Sequence, residues 1–281
     1  MVDLDFNATA SEHARQFYQA MRSQPPIRLP LRPEDEALLA KATARTIRFG
    51  PQDTLVARVF GNEHAPVVAL MHGWGGQGTQ FYRMAQALVD AGFQAVVVDF
   101  GNHGESAPMK LGFDRFMIDA RHLADHLGSM PFAWVAHSAA ALAIMSARRT
   151  HGISGCAFVT IAAPFVPYVP LNRFRSMGAG EDALDQVKPL LAREFQTDWS
   201  SLEAGLAWRR DENAQLLAIY DADDKMVRHT DAGLIAAVWP DCRIIESRGY
   251  GHNKVLGADP VIAATTSFLQ SVANIPGTSQ S

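Results

Sequence analysis

Three residue types that together activate an oxygen nucleophile occur in order along the chain, each after an apolar run. Ser138 sits in Ala136-His137-Ser138-Ala139-Ala140, between the run 132–136 and an alanine-rich segment. An acidic stretch, Asp221-Ala222-Asp223-Asp224-Lys225-Met226-Val227, follows the run 216–220. His252 comes last, in Gly249-Tyr250-Gly251-His252-Asn253. A serine hydroxyl is a weak nucleophile at neutral pH; it needs an adjacent base, and the base needs a third group to orient it. The chemistry these types could support is acyl transfer. A sharp strand-to-helix turn would hold up the Ser138 hydroxyl and demands small flanking residues. Ala136 and Ala140 fill the flanks where glycine is usual, so the turn is expected to be crowded, with Ala140 pressing helix and strand apart. The same five residues also fit a helix simply N-capped by Ser138.

A glycine run upstream allows two uses. Gly73-Trp74-Gly75-Gly76-Gln77-Gly78 follows a strand-like run, and Asp99 comes about 20 residues later, the spacing of a dinucleotide fingerprint. That reading implies a nicotinamide-dependent oxidoreductase. Against it, two strand-like runs precede the unit, and bulky His72 stands at the strand exit. In an acyl-transfer site the same turn would aim an N–H at a developing oxyanion, with a second donor from the residue after the nucleophile. Those donors would be the amides of Trp74 and Ala139.

The elements that must position these residues alternate. Strands are expected at 45–49 and 54–60 as a hairpin pair. Then come strand 67–71, helix 82–90, strand 95–100, helix 114–127, strand 132–136, helix 139–149 and strand 156–162. Near-continuous apolar strands separated by helices indicate an α/β fold with a mostly parallel sheet covered on both faces. Residues 163–213 break the rhythm: they hold Pro164, Pro167, Pro170 and Pro189 and a helix expected to start at Ser200 with Glu203 three residues on. Alternation resumes with strand 215–220, helix 232–239, strand 243–246 and helix 260–272. Ahead of the core, Thr9 and Glu12 have capping-box spacing before Ala14, Phe17, Tyr18 and Met21, and Pro33 opens a second helix carrying Leu38, Leu39 and Ala42. The expected division is an N-terminal helical arm (1–45), a core (46–162 and 214–275) and a helical lid insertion (163–213), with a disordered tail over 276–281.

Composition narrows the function. The 281 residues are 48% hydrophobic and 19% charged, with a formal net charge of −4. That balance offers no basic patch for nucleic acid or an anionic membrane. The start of the chain lacks a signal-peptide pattern and no apolar run spans a membrane, so a cytoplasmic location is expected. Cys156 and Cys242 read as buried, reduced thiols inside strands. His122 and His126 lie four apart on a helix near Asp119 and Asp125, a possible metal spacing, but a solvated helix face is the better reading and no metal is expected.

Taken together, these segments resemble the α/β-hydrolase superfamily, in its serine esterase and lipase-like branch, from about Ile47 to Leu269. The resemblance includes His72-Gly73, the loop Asp99-Phe100-Gly101-Asn102-His103-Gly104-Glu105-Ser106 (similar to Asp-x-x-x-His-Gly-x-Ser), the Ser138 elbow, the acidic loop and Gly251-His252. The family's acid loop often reads Gly-x-x-Asp-x-x-Val. Aligning Val227 implies Asp224 as the acid and leaves Asp221 in the glycine position, with Asp223 the alternative. The resemblance further implies Ser138 as nucleophile, His252 as base and a cofactor-free hydrolysis of an ester or thioester of a small to medium apolar acid. His72, Asp99, His103 and His137 become loop-stabilising residues. Trp74, Phe165 and Tyr168 are expected to contact the substrate. A C–C bond hydrolase, an amidase, an acyltransferase or a non-catalytic ligand-binding protein of the same fold remain the alternatives.

Overall fold

A computed structural model describes residues 9–41 and 45–274; the apolar position expected at Ala42 and the tail 276–281 lie outside the described residues. The helices α1 (Ala10–Arg22) and α2 (Pro33–Lys41) lead into the strand pair β1 (Arg45–Phe49) and β2 (Leu55–Phe60). Then follow β3 (Val67–Met71), α3 (Tyr82–Asp90), β4 (Gln94–Asp99), α4 (Phe113–Leu127), β5 (Ala133–His137), α5 (Ala139–Thr150) and β6 (Ala157–Ile161). Three helices come next, α6 (Tyr168–Ser176), α7 (Glu181–Glu194) and α8 (Trp199–Glu203). The chain closes with β7 (Gln215–Asp221), α9 (Asp231–Val238), β8 (Arg243–Ser247), α10 (Gly251–Lys254) and α11 (Asp259–Ala273).

The strands form one sheet in the order β1-β2-β4-β3-β5-β6-β7-β8. β2 runs antiparallel to β1 and β4, and every other pairing is parallel. Alternate residues of each strand face opposite sides, so the sheet separates two cores. Ala69 and Met71 of β3, with Trp134 and Ala136 of β5, pack under α4 and α5, beside Phe113, Phe116, Met117 and Leu142. Val68, Leu70 and Val135 face the other way, onto Met84 and Leu88 of α3 and Val261 and Leu269 of α11. This sandwiching explains the near-continuous apolar runs.

Between β6 and β7 the chain is helical and holds no strand. Here the structure corrects an expected boundary. Helix α8 begins at Trp199 and is capped by Asp198, whose carboxylate accepts from the Ser201 amide at 2.7 Å and the Ser200 hydroxyl at 2.6 Å. Glu203 instead accepts from the Trp199 indole at 2.8 Å. The N-terminal capping box is as expected, with Thr9 and Glu12 satisfying each other's amides. Helix α1 then packs on α6, α7 and α4: Phe17 stacks on Phe174 at 4.2 Å, and Arg22 binds Glu194 of α7 at 2.7 Å and Asp114 of α4 at 2.8 Å. The cysteines are free, but they precede their strands by one residue, which leaves Cys156 exposed and Cys242 half-buried. No helix among the described residues is long and apolar enough to cross a membrane.

Candidate active site

Ser138 lies at the junction of β5 and α5 with φ +52° and ψ −122°. A non-glycine residue rarely adopts positive φ, and holding one there costs of order 1–3 kcal/mol. The surroundings over-determine it. The Ser138 amide donates to the Ile161 carbonyl at 2.9 Å, and Ala136 and Ala140 are buried to 1% and 0% exposure. Strand and helix both remain regular up to the serine, so the two extra methyl groups are absorbed without interrupting either element. The serine is not acting as a side-chain cap: its hydroxyl makes no capping bond to α5.

That hydroxyl meets His252 instead. His252 Nε2 stands 3.0 Å from Ser138 Oγ, and His252 Nδ1 stands 2.7 Å from Asp224 Oδ2. With Nδ1 protonated toward the carboxylate, Nε2 is left as the acceptor for the serine proton. Rather than lying in an open loop, His252 sits in the short helix α10. Asp224 is almost fully enclosed. Burial alone would raise its carboxyl, yet the bonds from His252, Val227 and Met226 together hold it below the usual carboxylate range. Asp223 is exposed and caps the Gly249 amide at 2.8 Å, away from the imidazole.

The glycine turn abuts this serine. A Cβ on Gly73 would stand 2.9 Å from both Ser138 Cβ and His137 Nδ1, so only glycine fits. Among the described residues, neither the Trp74 nor the Ala139 amide donates to another group of the chain. The rest of the glycine run is committed internally: Gly76 N–H to the Gly73 carbonyl (3.0 Å), Gly75 N–H to His103 Nε2 (3.2 Å) and Gly78 N–H to Asp99 Oδ1 (2.7 Å). Asp99 also takes the Glu105 amide. The turn is stabilised by these bonds, and the Gly75, Gly76 and Gly78 amides and the Asp99 carboxylate that a dinucleotide would need are already occupied.

His72, His103 and His137 serve the scaffold. His72 donates from Nδ1 to the Gly73 carbonyl (2.8 Å) and accepts the Phe100 amide (3.1 Å). His103 Nδ1 bonds the Gly101 carbonyl, and His137 Nε2 bonds the His252 carbonyl at 2.9 Å. Burial pushes their pKa values down to about 4, 3 and 3. They are neutral near pH 7. Of the possible metal residues, Asp119 is held by Arg115 and the Gly101 amide and Asp125 by Arg121, while the buried His122 Nδ1 has no hydrogen-bond partner and His126 packs against Phe49. Among the described residues no group of three or more metal-ligating side chains assembles.

The residues expected to meet substrate divide. Trp74 is half-buried, with edge contacts to Phe113 (5.9 Å) and Phe116 (6.0 Å). Phe165 and Tyr168 are buried, and both are tied to Asp231: the Phe165 amide and the Tyr168 hydroxyl each donate to its carboxylate at 2.9 Å. Tyr168 also accepts the Arg228 amide. Its hydroxyl is therefore committed to structure. Asp231 had no local signal in the sequence, because its partners lie over 60 positions away.

A family model described as serine aminopeptidase, S33, matches residues 62–248. The chain belongs to that family, within the α/β-hydrolase superfamily. It is 25% identical over 140 residues to a non-heme chloroperoxidase of Kitasatospora aureofaciens (49% of this chain, 51% of the other). It is 28% identical over 156 residues to a magnesium-chelatase 30 kDa subunit of Rhodobacter capsulatus (54% of each). The chain thus spans about half the length of these curated relatives. In fold this α/β-hydrolase is similar to a putative lipase of Acinetobacter baumannii (TM-score 0.65, 12% identity, 96% of this chain and 99% of the other). It is also similar to an esterase of Pyrococcus furiosus (0.64, 16%, 89% and 98%) and to the thioesterase domain of the curacin biosynthetic pathway (0.60, 14%, 81% and 99%).

Proposed function

We propose that the chain is a serine hydrolase that cleaves an ester or thioester of a small to medium apolar acid through an acyl-enzyme. The observation that carries this reading is the unbroken hydrogen-bonded chain from Asp224 through His252 to the strained Ser138. Ser138 Oγ attacks the acyl carbonyl while His252 Nε2 takes its proton. Asp224 holds the imidazole in the useful tautomer and stabilises its cationic form. The oxyanion settles on the unengaged Trp74 and Ala139 amides, and the second of these opens α5, whose N-terminal dipole favours negative charge. His252 then protonates the leaving alkoxide or thiolate, and a water repeats the sequence to release the acid.

The inserted helices 163–213 act as a cap over the carboxyl ends of the strands, where ligands bind in such sheets. Trp74 lines the pocket mouth, with Phe165 and Tyr168 shaping it from behind through Asp231. The esterase, lipase and thioesterase likenesses support an ester-type bond. Amide and C–C bond cleavage and acyl transfer use the same residues. The test is burst kinetics with p-nitrophenyl esters of increasing chain length: a burst equal to the enzyme concentration, strongest for short and medium chains, supports the reading. Slow release without a burst at any chain length argues against an accumulating acyl-enzyme.

A further inference from the structure

Asp221 ends β7 at the position where related acid loops carry glycine, and it is only 1% exposed. Four donors converge on its carboxylate. Oδ1 accepts from the amides of Gly251 (2.9 Å) and Asp223 (3.0 Å). Oδ2 accepts from the Ser247 hydroxyl (2.8 Å) and the Tyr250 amide (3.2 Å). A glycine supplies no such acceptor. Two of these donors immediately precede His252, and a third immediately precedes Asp224. One carboxylate therefore joins the loop that carries the acid to the segment that carries the imidazole. Gly251 has a φ of +64°, a conformation other residues avoid, and it points its N–H at Asp221. On the other side His137 Nε2 donates to the His252 carbonyl. Burial would raise the Asp221 carboxyl, but the four bonds together hold it below its ordinary value. It is thus ionised wherever a histidine base operates, and each bond to it is charge-assisted.

We propose that Asp221 is a positioning residue for His252, holding the imidazole at the separation from Asp224 and Ser138 that proton transfer requires. The consequence for rate rests on the serine-hydrolase reading above; the consequence for His252 geometry does not.

The test uses the full chain with p-nitrophenyl acetate. Asp221→Asn is expected to lower kcat about 10- to 100-fold with KM within about twofold, because a small displacement of a reacting group acts on the chemical step. In a His252→Ala background the same substitution is expected to change the residual rate less than about threefold, since residues that act through one another do not add. An unchanged kcat, or equal fractional losses in the two backgrounds, would overturn the proposal. Proton NMR separates this from a failure of the hydrolase reading itself. The wild-type chain is expected to show an exchange-protected His252 Nδ1 proton, absent from His252→Ala, and Asp221→Asn to broaden or lose it whether or not any ester is turned over. Retention of that signal unchanged overturns the proposal. Should Asp221→Asn fail to fold, Asp221→Ser, which is shorter and keeps one acceptor, carries the same comparisons.

Discussion

Asp224 Oδ2 stands 2.7 Å from His252 Nδ1, while the carboxylate of the adjacent Asp223 turns outward to the Gly249 amide. Neighbouring acids thus have different work. Asp224→Asn is expected to lower kcat about 10³- to 10⁴-fold, because an amide in place of the carboxylate favours the wrong imidazole tautomer. Asp223→Asn, which keeps an acceptor for the Gly249 amide and removes only an exposed charge, is expected to cost less than about tenfold. Steady-state kinetics on one ester checks both, and the reverse ranking moves the acid by one residue.

Gly73 is the position where the oxyanion turn meets the elbow. An added methyl would press on Ser138 Cβ, His137 Nδ1 and the His137 carbonyl at 2.9, 2.9 and 3.2 Å. Backbone borders it on one side, so the turn must shift. Gly73→Ala is expected to keep the fold by circular dichroism while lowering kcat about 100-fold, as a displacement near 1 Å does in a positioned site. Near-wild-type turnover would show that the turn is not part of the site.

Three buried neutral histidines weaken the folded state in mild acid. His72, His103 and His137 titrate at about 4, 3 and 3 in the folded chain, against about 6.5 when unfolded. Above pH 6.5 both states are neutral there and nothing is gained or lost. Between pH 6.5 and 4 the unfolded chain binds protons that the folded chain cannot, so stability falls as pH falls. Asp119, pushed up to about 6 by burial, takes up a proton in the folded chain over the same range and offsets part of this loss, so urea unfolding at pH 5.5 should show about 3 kcal/mol less stability than at pH 7.5. A flat profile contradicts the assignment.

Glu194 of α7 ties that helix to α1 and α4. Its carboxylate, 2% exposed, takes Arg22, the Tyr18 hydroxyl and the Phe113 amide. Glu194→Ala leaves the Tyr18 hydroxyl and the Phe113 amide without their acceptor and Arg22 with Asp114 alone, and is expected to destabilise the chain by about 3 kcal/mol in urea titration. Loss of less than about 1 kcal/mol would mean that these groups find water instead.

Sheet and site were legible in the sequence to different depths. Runs such as 67–71, 95–100 and 132–136 announced a covered parallel sheet, because strands buried on both faces must be apolar throughout. The small residues around Ser138 fit the sharp turn that the structure has there, and the resemblance, aligned on Val227, implies Asp224, whose carboxylate stands against His252. Contacts made over long separations were not. Tyr168 is expected to contact a substrate, and only the fold brings Asp231 to its hydroxyl. Helix α8 is expected to start at Ser200, yet Asp198 caps it, because its carboxylate reaches both the Ser201 amide and the Ser200 hydroxyl. Cys156 looked interior because apolar neighbours follow it, yet the strand begins one residue later.

The central claim is that Ser138 is a nucleophile activated by His252. A fluorophosphonate probe, which phosphonylates only an activated serine, tests it on the intact folded chain. The account predicts stoichiometric labelling with the adduct on Ser138, none on Ser138→Ala, and little on His252→Ala. A monodisperse, folded wild-type sample that takes up no label, or takes it up on another serine, would contradict it.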